Sequence, residues 1–512
     1  MYNHNTKFNT DAAPQTADIC LIVEGSYPYV TGGVSSWLQS LITTQKQFSF
    51  HVVTLVVNTS KLVSKYQLPD NVLSLQHICL QDMPRGMPPS RHTPQLLAEL
   101  KQPVLKLQQH ADLTEIQQIL EILLPYQNQV GSRILLNSEA AWNLILDIYH
   151  QILPHSSFIN YFWSWRSLLG GLFATLIAPL PKAHVYHTIS TGYAGIFAAK
   201  AKLETGNPVI LTEHGIYTNE RRIEILMADW LAESKEQSFV FNQVKRDLRN
   251  IWTNIFESYT HACYDACDQI ITLYAGNQIL QIRDGADPKK LKIIPNGIDY
   301  LTFANLPRAI GHPPTVALIG RVVPIKDVKT YIRACYLLLE DIPNLNALIL
   351  GPYEEDLEYY EECKNLVSHL QCEQTIQFKG QVRLTEHLSH VDVIVLTSLS
   401  EAQPLVLLEA GAAGVPSIAT DVGACREMIL GQSDETPPLG PGGAIVPLAS
   451  PKATAEKIKL LLTDRNWHAR CSTAIQERVR QYYDKDQVDL IYQQLYSGLI
   501  EQAYNMTSEP RY

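Results

Sequence analysis

The strongest restriction on the fold comes from short apolar segments that alternate with helix-length segments along most of the sequence. These runs are rich in Val, Ile and Leu, which is typical of strands buried on both faces of a sheet. Strands that alternate with helices form parallel sheets with right-handed crossovers. The pattern therefore predicts an α/β fold built from doubly wound parallel sheets.

The alternation is most regular in the second half of the chain. Six apolar segments, each separated from the next by a segment long enough for a helix, lie at residues 315–320, 346–351, 375–380, 391–398, 415–420 and 443–448. Six strands in this arrangement complete a doubly wound domain. We therefore predict a Rossmann-like domain at 315–483, followed by one amphipathic helix at 484–505.

The first half has the same alternation with one long interruption. Its apolar segments lie at residues 17–25, 50–57, 183–190, 208–215, 268–275 and 290–299. Between about 58 and 154, proline-containing loops and helices rich in Gln and Leu replace the strands. We predict a Rossmann-like domain at 17–304 that carries a helical insertion at 58–154, which forms either a lid or a docking surface.

The domain limits follow from length and local composition. A chain of 512 residues is long enough for about three domains of ordinary size, or two large ones. The run 305–314 is rich in Pro and Gly and predicts a linker. Residues 1–16 are polar and predict a flexible tail, while 219–264 has the pattern of long helices.

Charge and cysteine content exclude several protein classes. Acidic residues outnumber basic ones by 51 to 41, which argues against a nucleic-acid-binding protein. The nine cysteines include no C-x-x-C pair, which is typical of a reducing compartment. The N-terminus has no apolar signal-peptide segment. We therefore expect a cytoplasmic protein.

One segment is unusually apolar and aromatic. Residues 158–166 contain five aromatic side chains, and 167–181 are apolar but shorter than the ~20 residues that span a bilayer. We predict a buried helix here. For the aromatic residues we favour packing in the core or at a domain interface over a partner surface.

The first candidate site follows the first strand of the second domain. Gly320 and Arg321 end this strand, and Lys326 lies just before a predicted helix that begins near Asp327. Ligands of open parallel sheets bind at the carboxyl ends of the strands. An arginine and a lysine at a helix N-terminus suit a diphosphate. The alternative is a pair of solvated surface cations.

The second candidate is a pair of glutamates near residues 398–416. Pro404 suits the first turn of a helix, which places Glu401 in the preceding loop and Glu409 within the helix. A carboxylate among apolar residues requires a partner or a ligand. Eight residues of mostly helical rise separate the pair by roughly 12 Å, too far for the two carboxylates of a retaining hydrolase. The spacing favours one extended ligand, with a sugar at one end and a ribose at the other.

Taken together, these motifs resemble glycosyltransferase family 4. The resemblance is carried by Gly-Gly-Val at 32–34, IPNGID at 294–299, Gly320 and Arg321 with Lys326, and the E-x7-E spacing of Glu401 and Glu409. It implies a retaining enzyme of the GT-B fold, with two Rossmann-like domains facing across a cleft and a C-terminal helix that crosses back to the first domain. Residues 24–37, 187–195 and 212–225 more closely resemble the PelF-type enzymes, cytosolic glycosyltransferases of Pel exopolysaccharide synthesis.

The resemblance also implies roles for single residues in the second domain. Arg321 and Lys326 would bind the diphosphate and stabilise the charge on the leaving group in place of a metal ion. Glu409 would accept hydrogen bonds from the ribose, and Glu401 would contact the transferred sugar. The backbone amides of Leu405 and Val406 would face the phosphate.

In the first domain, the resemblance assigns the donor-facing role to residues at two strand ends. Gly32 and Gly33 would let the backbone approach the donor, and His214 would reach the sugar.

In the second domain, the sequence departs from the family at one point. The family often has a glycine after the first glutamate of the pair, where this chain has Ala402 and Gln403 after Glu401. The contact to the sugar therefore departs from the family pattern.

Further candidates keep two interpretations each. His187 either contacts the ligand or caps a neighbouring helix. Cys263 and Cys267 form either part of a metal site or, as we favour, buried thiols. The adjacent Arg221 and Arg222 either bind an anionic or polymeric acceptor or lie on a solvated face.

The sequence thus predicts a metal-independent hexosyltransferase that moves a sugar from a UDP-sugar, with UDP-glucose favoured, onto a growing exopolysaccharide. The expected partners are the donor, the polysaccharide acceptor and membrane-embedded subunits of a synthase complex, which would recruit the protein to the inner face of the membrane. The alternatives are a GT-B nucleotide-sugar hydrolase or epimerase and a non-catalytic subunit. A dehydrogenase is disfavoured because no G-x-G-x-x-G follows the first strand of either domain.

Overall fold

The computed structural model describes residues 15–59, 62–126, 129–227, 247–432 and 435–508. The predicted tail at 1–16 lies almost wholly outside these residues, as does the middle of the predicted helical segment, 228–246. The chain divides into two compact units. Unit 1 comprises residues up to 272, 278–292 and 492 onward, and unit 2 comprises residues 273–277 and 293–491.

Unit 1 is built on a parallel sheet of buried Val-, Ile- and Leu-rich strands. Its strands are β1 Ala17–Glu24, β2 Phe50–Val56, β3 Val72–Cys79, β4 Ala183–Thr188, β5 Val209–Glu213, β6 Gln269–Thr272 and β7 Leu291–Ile293. Among the described residues their order is β3-β2-β1-β4-β5-β6-β7. Because β1, β4 and β5 run parallel side by side, the loops that follow them lie at one edge of the sheet.

Helices cover this sheet. Those wholly within unit 1 are α1 Gly33–Thr44, α2 Thr93–Leu107, α3 Leu113–Leu123, α4 Ser132–Leu135, α5 Glu139–Ile152, α6 Phe158–Ile177, α7 Tyr193–Thr205, α8 Tyr217–Met227 and α9 Leu248–Ala266. Helix α10, Ala275–Arg283, begins in unit 2 and continues in unit 1. Helices α1, α7 and α10 each lie between two strands in the chain, whereas α2 to α6 follow one another between β3 and β4.

The predicted insertion at 58–154 is wrong in its first part. Residues Val72–Cys79 form β3, which pairs with β2 at the edge of the sheet. Most side chains of β3 are only half-buried, because an edge strand packs against fewer neighbours than a central one. Its polar residues hid the apolar pattern of a strand. The helical part of the insertion therefore begins after β3.

The aromatic segment is helical, as predicted. It forms the N-terminal part of α6, whose apolar second half is buried through Leu168, Leu169, Leu172 and Phe173. Tyr161 and Trp165 are also buried, but Trp163 is 63% exposed. The aromatic residues are thus divided between core and surface, which corrects the expectation of core packing for the whole set. No helix in the described ranges is long and apolar enough to cross a membrane.

Unit 2 holds the second parallel sheet, and all six of its predicted strands are confirmed. They are β8 Thr315–Ile319, β9 Asn346–Leu350, β10 Ile376–Gly380, β11 Val393–Leu396, β12 Ser417–Thr420 and β13 Gly443–Val446. Their order in the described residues is β10-β9-β8-β11-β12-β13. This is the order of a doubly wound nucleotide-binding sheet, in which the order reverses between β8 and β11. The predicted fold class is therefore confirmed for each unit.

The helices of unit 2 lie between these strands and after the last one. They are α11 Tyr300–Ala304, α12 Val328–Leu338, α13 Leu357–His369, α14 Leu384–His387, α15 Leu405–Ala412, α16 Cys425–Leu430, α17 Pro451–Thr463 and α18 Arg465–Tyr482. Short 3-10 turns at Pro324–Lys326 and Leu388–His390 complete the unit.

The run 305–314 does not lie between the two units. The division between the units falls at residues 292 and 293, so this run belongs to unit 2. It is held there because Arg308 donates to the carbonyl oxygens of Leu388 and Val391 at 2.7 and 2.8 Å. The Pro- and Gly-rich composition therefore indicates an irregular segment here, not a free linker.

The predicted C-terminal helix is confirmed as α19, Lys485–Ser508. From residue 492 onward it belongs to unit 1. Tyr492 and Tyr496 are buried there, and the Tyr496 hydroxyl lies 2.7 Å from Nδ1 of His187 on β4. This part of α19 therefore packs in the core of unit 1.

Candidate functional site

In unit 2, the loop after β8 begins with two backbones in close contact. A Cβ atom added to Gly351 would lie 2.0 Å from the Gly320 carbonyl oxygen, and Gly351 has a φ of +154°. Only glycine fits at this position without displacing the backbone. The Gly320 amide in turn donates to the Leu350 carbonyl at 2.9 Å. This packing holds the loop from Gly320 to Lys326 against the carboxyl end of the sheet.

Lys326 and Glu401 form an ion pair at this sheet edge. Lys326 ends a 3-10 turn, and its Nζ lies 2.5 Å from Oε1 of Glu401. The two side chains are only 17% and 12% exposed. Ser398, two residues after the end of β11, donates to the same carboxylate oxygen at 2.6 Å. The structure therefore brings together two predicted site residues that are 75 positions apart in sequence.

Arg321 points to a different partner. Its Nη1 lies 2.6 and 2.7 Å from the two carboxylate oxygens of Glu355, and both side chains are more than half exposed. An exposed ion pair of this kind contributes about 0–1 kcal/mol. Arg321 is therefore held only weakly by Glu355 and can exchange this carboxylate for another anion.

Glu409 lies in α15 as predicted, among buried Leu and Ala residues. Burial raises the pKa of its carboxyl group. In the part of the chain that the structure describes, no side chain or backbone group donates a hydrogen bond to it. A half-buried carboxylate without a protein partner is a natural acceptor for ligand hydroxyl groups.

The start of α15 has unsatisfied backbone donors. Pro404 is the N-cap, so the N–H groups of Leu405 and Val406 lie in the first turn and have no acceptor within the helix. Leu405 is 38% exposed, so the start of the helix lies at the surface of unit 2. These are the two amides that the sequence assigned to phosphate binding.

Gln403 is a functional candidate that sequence reasoning noted only as a departure from the family. It is buried, and its Oε1 accepts a hydrogen bond from the Asn296 amide at 2.7 Å. The Ala402 carbonyl accepts from the Ala424 amide at 2.8 Å. Two separate loops thus hold the segment that carries Glu401. In the sequence, the polar Gln403 directly before Pro404 could have indicated a contact of this kind.

In unit 1, Gly32 and Gly33 lie at the start of α1, Gly32 as its N-cap. A Cβ atom at either position would meet no atom of the described neighbouring residues within 4 Å. Gly32 has an extended φ of 171° that any residue adopts. The protein therefore imposes no need for glycine here, and the open space beside the helix start suits the close approach of a ligand.

His214 follows β5 and has a free nitrogen. Its Nε2 is buried without a hydrogen-bond partner among the described residues. Its ring meets that of Trp37 edge to face, with 4.7 Å between the ring centroids. Burial lowers the pKa of His214 to about 4, so the ring is neutral near pH 7. A neutral, oriented imidazole with one unused nitrogen suits a ligand hydroxyl.

His187 has a structural role instead, and it caps no helix. Its Nδ1 pairs with the Tyr496 hydroxyl at 2.7 Å and its Nε2 with Oγ1 of Thr212 at 2.9 Å. Burial lowers its pKa to about 3. Both nitrogens are therefore used to bind strand β5 and helix α19.

One half-buried and one buried carboxylate, which the sequence analysis did not single out, support these loops. Glu24 ends β1 and accepts from the Tyr217 hydroxyl at 2.9 Å. Glu213 ends β5 and accepts from Tyr264 at 2.8 Å and from Gln281 at 2.9 Å. Burial raises the pKa of Glu213 to about 7. Their burial is set by tertiary packing and has no local signal.

The remaining candidates are structural in the described residues. Arg222 is 28% exposed and pairs with Glu257 and Asp284, so it does not lie on a solvated face, and its binding of an acceptor stays a prediction. Arg221 stacks on the Tyr217 ring at 4.9 Å. The two sulfur atoms of the predicted thiol pair, Cys263 and Cys267, are buried 4.0 Å apart.

Two family models match the chain. The model described as "Glycosyl transferases group 1" matches residues 307–478, and the model described as "Domain of unknown function (DUF3492)" matches residues 17–289. The first match covers much of unit 2, and the second begins with β1 and covers most of unit 1.

Curated relatives are similar over part of the sequence. D-inositol 3-phosphate glycosyltransferase of Kineococcus radiotolerans is 32% identical over 200 residues, which are 35% of this chain and 45% of that protein. Phosphatidyl-myo-inositol mannosyltransferase of Mycolicibacterium smegmatis is 30% identical over 197 residues, which are 37% of this chain and 47% of that protein. The matches thus span less than half the length of these relatives.

Solved structures share the fold along nearly the whole chain. HepE of Anabaena in complex with UDP has a TM-score of 0.57 at 13% identity, over 94% of this chain and 100% of that one. Sucrose-phosphate synthase of Thermosynechococcus elongatus has a TM-score of 0.56 at 16% identity, over 95% and 100%. At such identities the similarity is one of fold.

Proposed function

This chain belongs to the DUF3492 family, and we propose that it is a group 1 glycosyltransferase, a retaining, metal-independent hexosyltransferase that uses a UDP-sugar. UDP-glucose is the proposed donor; HepE of Anabaena, with which this chain shares the fold, is solved in complex with UDP-glucose. The observation that carries the proposal is the Lys326–Glu401–Ser398 cluster at the carboxyl end of the unit 2 sheet, beside the free first turn of α15.

The proposed diphosphate site combines a buried cation with backbone donors. Lys326 is oriented by Glu401 and provides a charge shielded from water, where its effect on a phosphate is strong. The N–H groups of Leu405 and Val406 add donors at the positive end of the helix. Arg321 adds a second cation once it leaves Glu355. These groups stabilise the negative charge that develops on UDP as the sugar bond breaks, so we propose that no metal ion is required.

The proposed nucleoside and sugar contacts use the two glutamates. Glu409 accepts hydrogen bonds from the ribose hydroxyl groups, because its carboxylate is half-buried and has no protein donor in the described residues. Glu401 contacts the transferred sugar through the carboxylate oxygen that its two protein partners leave free. In unit 1, we assign sugar recognition to the free Nε2 of His214 and close backbone approach to Gly32 and Gly33.

The proposed acceptor is a growing exopolysaccharide of the Pel type. This assignment is supported by the similarity of residues 24–37, 187–195 and 212–225 to PelF-type enzymes. We further propose that the protein acts in the cytoplasm with membrane-embedded subunits of a synthase complex, since a polysaccharide must leave the cell through a membrane.

The reaction is tested by incubating the purified chain with UDP-glucose and other UDP-hexoses, with and without an oligosaccharide acceptor, in the presence of EDTA. We expect a glycosylated product that keeps the anomeric configuration of the donor, as NMR would show. UDP release without transfer would favour a nucleotide-sugar hydrolase, interconversion of UDP-sugars would favour an epimerase, and no turnover would favour a non-catalytic subunit. Activity that returns only with magnesium or manganese would exclude metal independence.

We expect Glu409→Ala to weaken UDP binding by about tenfold or more, because hydrogen bonds to a charged group contribute roughly 1.5–3 kcal/mol. Glu401→Ala should lower turnover more than UDP affinity, because its proposed contact is to the sugar. Titration calorimetry measures the UDP affinity of each variant, and a steady-state transfer assay with the UDP-sugar measures its turnover. The exposed Glu456 on α17 provides the matched control, Glu456→Ala. Unchanged UDP affinity in Glu409→Ala would remove the ribose assignment.

A further inference from the structure

Unit 1 carries an exposed apolar surface formed by α5 and the first turns of α6. We call it the aromatic surface, and it consists of Trp142, Phe158, Ile159, Phe162 and Trp163. Trp142 is 44% exposed, Ile159 67% and Trp163 63%. The aromatic side chains form one continuous group, since the Trp142 centroid lies 5.5 Å from that of Phe158 and 5.8 Å from that of Phe162. Phe162 and Trp163 are 5.3 Å apart.

The aromatic surface packs against the core of unit 1. Phe158 and Phe162 pack on the core of unit 1, and the Phe158 ring lies 5.1 Å from that of buried Tyr149. The hydroxyl of Ser157 accepts from the Asn160 amide and caps α6 at this end. Ile159 and Trp163 therefore project from an ordered helix. Large apolar side chains grouped in this way usually mark an interaction site, because exposing them to water is unfavourable.

Helix α6, which carries most of the aromatic surface, has no acidic residue. The chain has 51 acidic residues in 512, about one in ten, yet none occurs in the 56 residues from 148 to 203. Asp147, just before this stretch, is paired with Lys101 at 2.7 Å. Arg166 lies over the Phe162 ring at 5.7 Å. In a protein with a net charge of −10, this helix thus combines aromatic side chains with a cation and carries no carboxylate.

We propose that the aromatic surface binds the interfacial region of an anionic phospholipid bilayer, with Ile159 and Trp163 among the headgroups and upper acyl chains. Trp and Phe are suited to this region because their rings are apolar and the indole N–H can reach water or headgroups. Arg166 would approach the lipid phosphates, and α6 itself carries no carboxylate that would repel them. The protein would then contact lipid directly and not through protein partners alone. This inference does not depend on the proposed donor or acceptor.

The test is co-sedimentation of the full chain with large vesicles of phosphatidylglycerol and phosphatidylcholine, compared with vesicles of phosphatidylcholine alone. We expect binding that prefers the anionic vesicles and weakens with salt. The double variant Ile159→Ser/Trp163→Ser should bind at least about tenfold more weakly, because it loses two inserted apolar side chains. Ile310→Ser, at a residue 98% exposed in unit 2, is the matched control and should bind like the unaltered chain.

A charge reversal separates lipid from a protein partner. Glu139 is exposed in the first turn of α5, three positions before Trp142. Glu139→Lys should strengthen binding to anionic vesicles by several-fold, since it replaces a repelled charge with an attracted one. Equal binding by the double variant and the unaltered chain would overturn the proposal. An absence of vesicle binding at low salt would also overturn it. Binding to detergent-solubilised membrane proteins without binding to vesicles would overturn it in the same way. Ile159 and Trp163 are both exposed, so the double variant should unfold at the same temperature as the unaltered chain while it loses vesicle binding.

Discussion

Lys326→Ala should lower the rate of sugar transfer by about a hundredfold or more, the effect seen when one group that stabilises developing charge is removed. The lysine is only 17% exposed and is oriented by Glu401 at 2.5 Å, so water cannot easily replace its charge. The substitution also leaves Glu401 with Ser398 as its remaining side-chain partner. Steady-state measurement of kcat and KM with the UDP-sugar gives the effect.

The control for this change is Lys329→Ala. Lys329 lies in α12, close in sequence, and pairs with the exposed Glu362. It should retain the rate within about twofold, since partly exposed ion pairs contribute little. Arg321→Ala should resemble Lys326→Ala, whereas removal of its partner by Glu355→Ala should not impair turnover. Near-normal turnover in Lys326→Ala, with UDP binding preserved, would contradict the proposed charge stabilisation.

Tyr496→Ala should destabilise unit 1 by about 3–5 kcal/mol, the usual cost of removing a large buried aromatic side chain. Tyr496 is fully buried, and its hydroxyl pairs with Nδ1 of His187. The substitution also leaves Nδ1 of the buried His187 without its partner, which further lowers the free energy of unfolding. Removal of residues 484–512 should have a still larger effect and abolish activity, because all of α19 is lost. Guanidinium unfolding followed by circular dichroism measures the change.

Two further variants separate packing from hydrogen bonding at this position. Tyr496→Phe keeps the ring and should cost about 1–3 kcal/mol through the unpaired His187 nitrogen. Gln493→Ala changes an exposed residue of the same helix and should shift stability by less than about 0.5 kcal/mol. If Tyr496→Ala unfolds at the same guanidinium concentration as the unaltered chain, the C-terminal helix does not stabilise unit 1.

The strands of unit 2 were predictable because they are buried on both faces. A segment such as Thr315–Ile319 is apolar at nearly every position and ends at a glycine, so the local sequence is sufficient. Strand β3 was missed for the opposite reason. It lies at the edge of its sheet with most side chains half-buried, and its polar residues obscure the periodicity.

The sequence could predict which residue types of the candidate site follow the strands. It could not predict which residues they contact. Glu355, which binds Arg321, lies on a different loop 34 positions away. Gln403, which holds the Asn296 amide, is 107 positions from its partner. No periodicity or spacing relates residues so far apart in sequence. The division of the aromatic residues of α6 between core and surface likewise depends on which helices pack beside it.

By itself, the sequence determined the alternation of strands and helices, the loops in which ligand-binding residues lie, and the unusual charge of residues 148–203. These features are local, because they depend on side-chain type and on the periods of helix and strand. Only the tertiary structure decided which loops meet. Lys326 reaches Glu401 because β8 and β11 are neighbours in the sheet although two strands separate them in sequence. Strand order is set by the packing of the whole unit, so the ion pair at the centre of the proposed site exists only in the folded chain.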